Sequence, residues 1–128
     1  MWTKILLVFF GGAFGAMVRE FFMLLIPPGR GDFPLDIFAA NIVASFLLGL
    51  TVGNQRLKNV SDEFLLLVGT GVMGGMSTFS SFVYGAYSEM TTAGDLWWGV
   101  LYILSSAVVG FFATYFGIKA ARRRATAA

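Results

Sequence analysis

Polar residues gather in short patches along this chain, and between the patches run four apolar stretches, over residues 5–26, 37–53, 64–90 and 96–118. Each is near or above the ~20 residues that a helix needs to cross about 30 Å of hydrocarbon. The pattern therefore predicts an all-α membrane protein of four transmembrane helices. Residues 1–128 then form a single transmembrane domain, with almost nothing left over for a soluble one. Pro27-Pro28-Gly29-Arg30-Gly31-Asp32 stops the first helix, because proline removes a backbone donor and glycine accepts unusual dihedrals. Pro34 leads into the second helix, residues 54–62 form the next connection, and residues 91–95 make the last turn. Ser61 or Asp62 is placed to cap the third helix. Trp97, Trp98 and Tyr102 cluster at the start of the fourth stretch, where amphipathic rings anchor a helix at the membrane interface. No internal repeat is evident.

The third stretch departs from the other three. Residues 70–82 read TGVMGGMSTFSSF, glycine and hydroxyl side chains set inside a segment long enough to span. In hydrocarbon each unpaired backbone N–H or C=O costs several kcal/mol, so such an interruption persists only where protein, water or an ion satisfies the freed groups. The third helix is therefore predicted to break, and a break of this kind is the usual seat of a transport site.

Composition sharpens the class. The chain is 57% hydrophobic and 12% charged, with a mean hydropathy of +0.76, far from the balance of a soluble domain. Cysteine and histidine are absent, which excludes disulfides, Cys/His zinc sites, cysteine nucleophiles and histidine bases. Asp32, Asp36, Asp62, Glu63 and Asp95 fall at the edges of spans, where carboxylates cap helices or meet water, so an enzyme is not expected. A signal-peptide reading of the first stretch, with Lys4 as its basic start and residues 11–16 as a cleavage region, fails on length and on the three spans that follow.

Counting spans puts both termini and the 54–62 connection on one side of the membrane. That side holds Lys4, Arg56, Lys58, Lys119, Arg122, Arg123 and Arg124, against Arg30 alone on the other. By the positive-inside rule both termini are expected in the cytoplasm, with one fixed orientation. The basic tail reads as an orientation anchor beside lipid rather than as a nucleic-acid arm.

Polar residues inside the spans are the costly ones. Arg19 and Glu20 lie in the outer part of the first helix, where Arg19 either snorkels to the interface or raises the potential of a vestibule that attracts anions. Asn41 starts a helical stripe with Ser45; an amide there either bonds a neighbouring helix or replaces part of an anion's hydration shell. Gly11-x-x-x-Gly15 and Gly71-x-x-x-Gly75 permit close helix approach. Phe79 and Phe82 follow the break three residues apart, so they face roughly one way, and a ring edge can favour a small anion.

These residues carry a resemblance. Arg19 in the first span, Ala40-Asn41-Ile42 opening the second, Thr70-Gly71-x-x-Gly74-Gly75-x-Ser77-Thr78-Phe79-Ser80-Ser81-Phe82 in the third and Gly110 in the fourth are similar to the Fluc/CrcB family of bacterial fluoride channels. The resemblance implies a four-helix subunit that pairs in antiparallel orientation, with two fluoride pores around a central structural sodium ion. It implies sodium on the backbone carbonyls of Gly74 and Ser77, a fluoride pore with Asn41, Phe79, Phe82, Ser80, Ser81 and Thr78, and Arg19 at a vestibule. The implied activity is passive export of fluoride across the bacterial inner membrane.

Departures from the family pattern qualify that picture. Val83-Tyr84-Gly85 follows Phe82 where relatives carry a serine and then an acidic residue, and Glu89 comes a turn later. On alignment from Gly110, the hydroxyl positions of the fourth span fall at Phe111 and Tyr115, with Thr114 one step off. With the charge bias, this favours a heterodimer with an oppositely oriented paralogue over a homodimer. Two other classes stay open: a small multidrug-resistance-type proton-coupled transporter, for which Glu20 is the one candidate acid, and a non-conducting structural subunit of a heterodimeric channel.

Overall fold

The computed structural model describes residues 1–26, 33–92 and 96–127. The turn expected over residues 27–32 and residues 93–95 of the last turn lie outside them. The described residues form helix α1 (Trp2–Leu25), α2 (Leu35–Arg56), a composite α3 over residues 62–76, α4 (Phe79–Thr92) and α5 (Leu96–Ala127). Counted by length and apolarity, α1, α2, α3 with α4, and α5 make four candidate membrane spans. The chain is a multi-pass, all-α membrane protein whose third span is broken.

The composite α3 starts on a serine cap: Ser61 Oγ accepts the Phe64 N–H at 3.2 Å, satisfying one of the donors that a helix start leaves free. After Asp62–Phe64 the helix widens to π-helical pairing over Leu65–Val72 and returns to α over Met73–Met76. It stops at Ser77, whose ψ of 148° is extended, and α4 resumes at Phe79.

Small residues decide which helices touch. α1 lies along α3, and α2 lies along α5. A Cβ at Gly15 would run into the Val72 carbonyl of α3, and one at Gly75 into the backbone of Gly12 on α1. The paired glycine motifs of the first and third spans thus let two backbones meet where any side chain would separate them. Gly49 does the same between α2 and Thr114 of α5. The buried centre is small, built on Ala44, Met73 and Met76 with Val18, Phe22 and Leu47 packed around them. Most large apolar side chains instead point outward, among them Phe9, Phe14, Phe21, Leu24, Val108 and Phe112. That inside-out distribution suits a solvent of lipid tails.

Trp97 and Trp98 are exposed near the start of α5, but Tyr102 is fully buried. Its ring packs against Phe33 at 5.1 Å and Phe82 at 5.3 Å between centroids. Tyr102 is therefore a core residue and not an interface anchor. Although it shares a helix face with Trp98, one turn earlier, it is covered where Trp98 is not, with Phe82 of α4 and Phe33 packed on its ring.

Candidate functional site

The break in the third span is held from the neighbouring helix. Asn41, from α2, accepts the Thr78 N–H on Oδ1 at 2.9 Å and donates from Nδ2 to the Thr78 carbonyl at 3.4 Å. One side-chain amide thus pairs with both backbone polar groups of one residue, as a strand neighbour would. Thr78 then caps α4: its Oγ1 accepts the Ser81 N–H at 3.1 Å and donates to Ser81 Oγ at 3.1 Å, with Ser80 Oγ 3.2 Å away.

These bonds redirect the donors of a continuous helix. In α-helical pairing the Thr78 N–H would serve the Gly74 carbonyl, and the Ser81 N–H would serve the Ser77 carbonyl. Both are taken instead, by Asn41 Oδ1 and Thr78 Oγ1. Gly74 and Ser77 are exposed in the single subunit, and space is open around Gly74, where a Cβ would meet nothing within 4 Å. Both residues line a cavity of about 240 Å³ together with Ser45 and Thr70. Two hard oxygens with no helical donor, on one open face, are suited to a cation shared with a second subunit.

A second cavity, of about 470 Å³, opens on the other side of Ser77 and is lined by Asn41, Ser45, Thr78, Phe79, Phe82 and, from α5, Ser106. Its hydroxyls are not equivalent. The Ser45 proton is spent on the Asn41 carbonyl at 2.8 Å, and the Thr78 proton on Ser81. Ser106 Oγ is buried and makes no hydrogen bond among the described residues. Its proton, the second N–H of Asn41 and the hydroxyl of Ser77, which also lines the cavity, are donors with no partner among the described residues. Ser80 and Ser81 sit behind Thr78 and build its cap. Phe79 is 80% exposed and lies 6.1 Å from Phe82, the rings tilted by 34°.

Arg19 stands against the break rather than apart from it. Its guanidinium donates to the Gly75 carbonyl at 3.5 Å and pairs with Glu20 at 3.4 Å, while Nε is buried without a partner. A cation at the carbonyl end of the Met73–Met76 segment complements the partial negative charge that a helix end carries.

Sequence reasoning missed Ser106. Tyr102, Ser106, Gly110 and Thr114 recur every four residues and share one face of α5, whereas Phe111 and Tyr115 are 68% and 51% exposed on its outside. Thr114 turns inward and donates to the Ser45 carbonyl at 3.2 Å. Counting by four toward the amino terminus from Gly110 would have found the cavity-lining hydroxyl.

A small four-span membrane protein, with an amide-braced break in its third span beside a polar-and-aromatic cavity, is the class that fold and site define. The chain belongs to the family described as CrcB-like protein, Camphor Resistance (CrcB), whose model matches residues 6–118. It is 50% identical over 114 residues to "Fluoride-specific ion channel FluC 3" of Yersinia pseudotuberculosis, covering 89% of this chain and 85% of that protein. "Fluoride-specific ion channel FluC 1" of Brucella abortus is 46% identical over 116 residues, which make up 90% of this chain and 43% of that protein. "Fluoride-specific ion channel FluC" of Pyrococcus horikoshii is 35% identical over 120 residues, 93% of this chain and 96% of that protein.

Proposed function

We propose that this chain is a subunit of a fluoride-specific ion channel and not an enzyme. The observation that carries the reading is the Thr78 peptide, held by Asn41 at a helix break that opens on a cavity lined by Phe79 and Phe82. Moving a bare anion from water into a low dielectric costs tens of kcal/mol by Born solvation, so a pore must replace lost water with donors and positive ring edges. The free N–H of Asn41 and the Ser106 hydroxyl are such donors. Phe82 lines the cavity between Phe79 and Tyr102, whose rings are tilted from its own by 34° and 33°, and the positive edge of such a ring is what an anion can use. No single group binds strongly, which lets the ion leave.

One subunit supplies a groove and not a closed pore, so the working channel is a dimer, antiparallel in arrangement, in the bacterial inner membrane with both termini of this chain cytoplasmic. The Gly74 and Ser77 carbonyls, with the same groups of the partner, hold a structural sodium ion that ties the two breaks together. Transport is passive, down the electrochemical gradient, and exports fluoride. The charge bias favours an oppositely oriented paralogue as the partner.

The test is fluoride efflux from liposomes that contain this chain alone or with such a paralogue. Efflux that exceeds protein-free liposomes and falls strongly on Phe82→Ile supports the reading. Proton-driven export of cationic drugs that depends on Glu20 would replace it with a transporter of the multidrug type. Full conduction in Phe82→Ile would remove the pore assignment.

A further inference from the structure

Away from the helix break, α2 and α5 line a pocket that none of the preceding roles uses. Phe46 of α2 and Phe116, Lys119, Ala120 and Arg123 of α5 surround a volume of about 290 Å³. Lys119 and Arg123 are four residues apart, so both stand on one side of α5. Lys119 Nζ lies over the Tyr115 ring, 5.9 Å from its centroid, and cation–π attraction holds the ammonium at that level. Both cations are exposed. Neither is neutralised by a carboxylate among the described residues, where the ion pair formed is that of Arg19 with Glu20. Asp62, an acid at the same end of the molecule by span count, accepts instead from Gln55 at 2.9 Å.

The pocket changes character along its length. Phe116 lies seven residues before Arg123, about 10 Å down the helix axis, inside the apolar stretch that closes at residue 118. Its ring is 53% exposed and that of Phe46 36%. Two cations at a span end with two open rings on the hydrocarbon side match the halves of a phospholipid, a phosphodiester and the start of its acyl chains. A free phosphate ion would use the cations alone and leave the rings uncovered. The direction in which the pocket faces agrees with a lipid. On α2, Ala44, Ser45 and Leu48 line the opening at Gly74 and Ser77, and at 3.6 residues per turn Phe46 is rotated by about 100° from Ser45 and about 160° from Ala44 and Leu48. The pocket thus looks away from the surface assigned to the partner subunit.

We propose that this pocket binds the headgroup of an anionic phospholipid, with its phosphate between Lys119 and Arg123 and its first methylenes on Phe46 and Phe116. The arginine presents a planar fork that takes two phosphate oxygens at once, and the lysine adds a point charge. Two cations against one phosphodiester leave positive charge in excess. A headgroup of net negative charge is therefore preferred to a zwitterionic one, whose own ammonium the pair repels. The site rests on the packing of α2 along α5 and not on what crosses the membrane.

Native mass spectrometry of the full-length protein, titrated in detergent with phosphatidylglycerol, phosphatidylcholine or inorganic phosphate, tests this. Phosphatidylglycerol is expected to bind saturably and at least about tenfold more tightly than phosphatidylcholine. Lys119→Gln with Arg123→Gln is expected to abolish that preference, whereas Arg56→Gln with Arg122→Gln, which removes the same charge from the same end outside the pocket, keeps it within about twofold. Phe116→Ser is expected to weaken the lipid without affecting any binding of inorganic phosphate. Equal binding of the two lipids, or equal loss in the two double variants, would reduce the effect to diffuse attraction and overturn the site. Inorganic phosphate held as tightly as the lipid would assign the cations to a soluble anion and overturn it as well. Because the chain has no cysteine, Ala120→Cys supplies a single thiol; disulfide-linked pairs formed through it in high yield in liposomes would show that a second copy, not lipid, covers the pocket.

Discussion

Asn41 does two jobs with one amide, and they separate by substitution. Asn41→Ala leaves the Thr78 N–H without its partner, while the Thr78 carbonyl keeps the Phe82 N–H; at about 1–3 kcal/mol for a buried group left unpaired, a clear fall in thermal unfolding temperature is expected. Asn41→Asp keeps an acceptor for the Thr78 N–H but sets a carboxylate against the Thr78 carbonyl and in the path of an anion; efflux is expected to fall at least about tenfold by like-charge repulsion. Ser106 gives the opposite pairing of effects. Its hydroxyl is buried and unbonded, so Ser106→Ala is expected to leave stability unchanged or raise it by up to about 1 kcal/mol, while efflux drops severalfold. A stability loss with full conduction would mean that the hydroxyl serves packing rather than the ion. At this scale legibility followed cost. An amide and a run of serines in hydrocarbon have few reasons to exist, and Asn41 and residues 77–82 stood out on that ground. Asp36 was read as capping a helix or meeting water from its place at a span edge, and its burial is something no local pattern carries.

At the scale of helices, glycines sort by what they face. Gly15 touches the Val72 carbonyl across the α1–α3 contact, whereas a side chain at Gly74 would meet nothing in its own subunit. Gly15→Val is therefore expected to push two helices apart and destabilise the subunit by about 1–3 kcal/mol or more, visible as loss of folded protein in detergent. Gly74→Val is expected to leave the helical content and monomer fold intact, yet to shift the detergent-solubilised protein from dimer to monomer on size-exclusion chromatography. A dimer unaffected by Gly74→Val would place the subunit interface on another face. The break itself was legible because glycine and hydroxyl residues cannot form a lipid-facing span. Its bracing was only half so: the donor withdrawn from Ser77 goes to the local Thr78 cap, but the one withdrawn from Gly74 goes to Asn41 of α2, a partner fixed by tertiary packing. The π-helical stretch over Leu65–Val72 also has no counterpart in the apolar pattern, since Leu and Val suit either pairing.

For the whole molecule, charge at the helix ends decides what the chain can assemble with. The end of α5 carries Lys119, Arg122, Arg123 and Arg124, and the chain stays helical past its last apolar residues to Ala127. Each basic residue near a span end biases its end toward the cytoplasm. An antiparallel pair made from one sequence requires both orientations to occur. Tags at each terminus are expected to report a cytoplasmic location for both in the native chain, and the native chain by itself is then expected to conduct poorly. Exchanging Lys119, Arg122, Arg123 and Arg124 for glutamine removes most of the bias while sparing the cavity and the helix break. The tags are then expected to report mixed orientation, and efflux from liposomes made with this variant alone is expected to rise above that of the native chain. If orientation becomes mixed and efflux does not rise, pairing with itself is prevented by the interface and not by topology, and the partner must supply surface that this chain lacks.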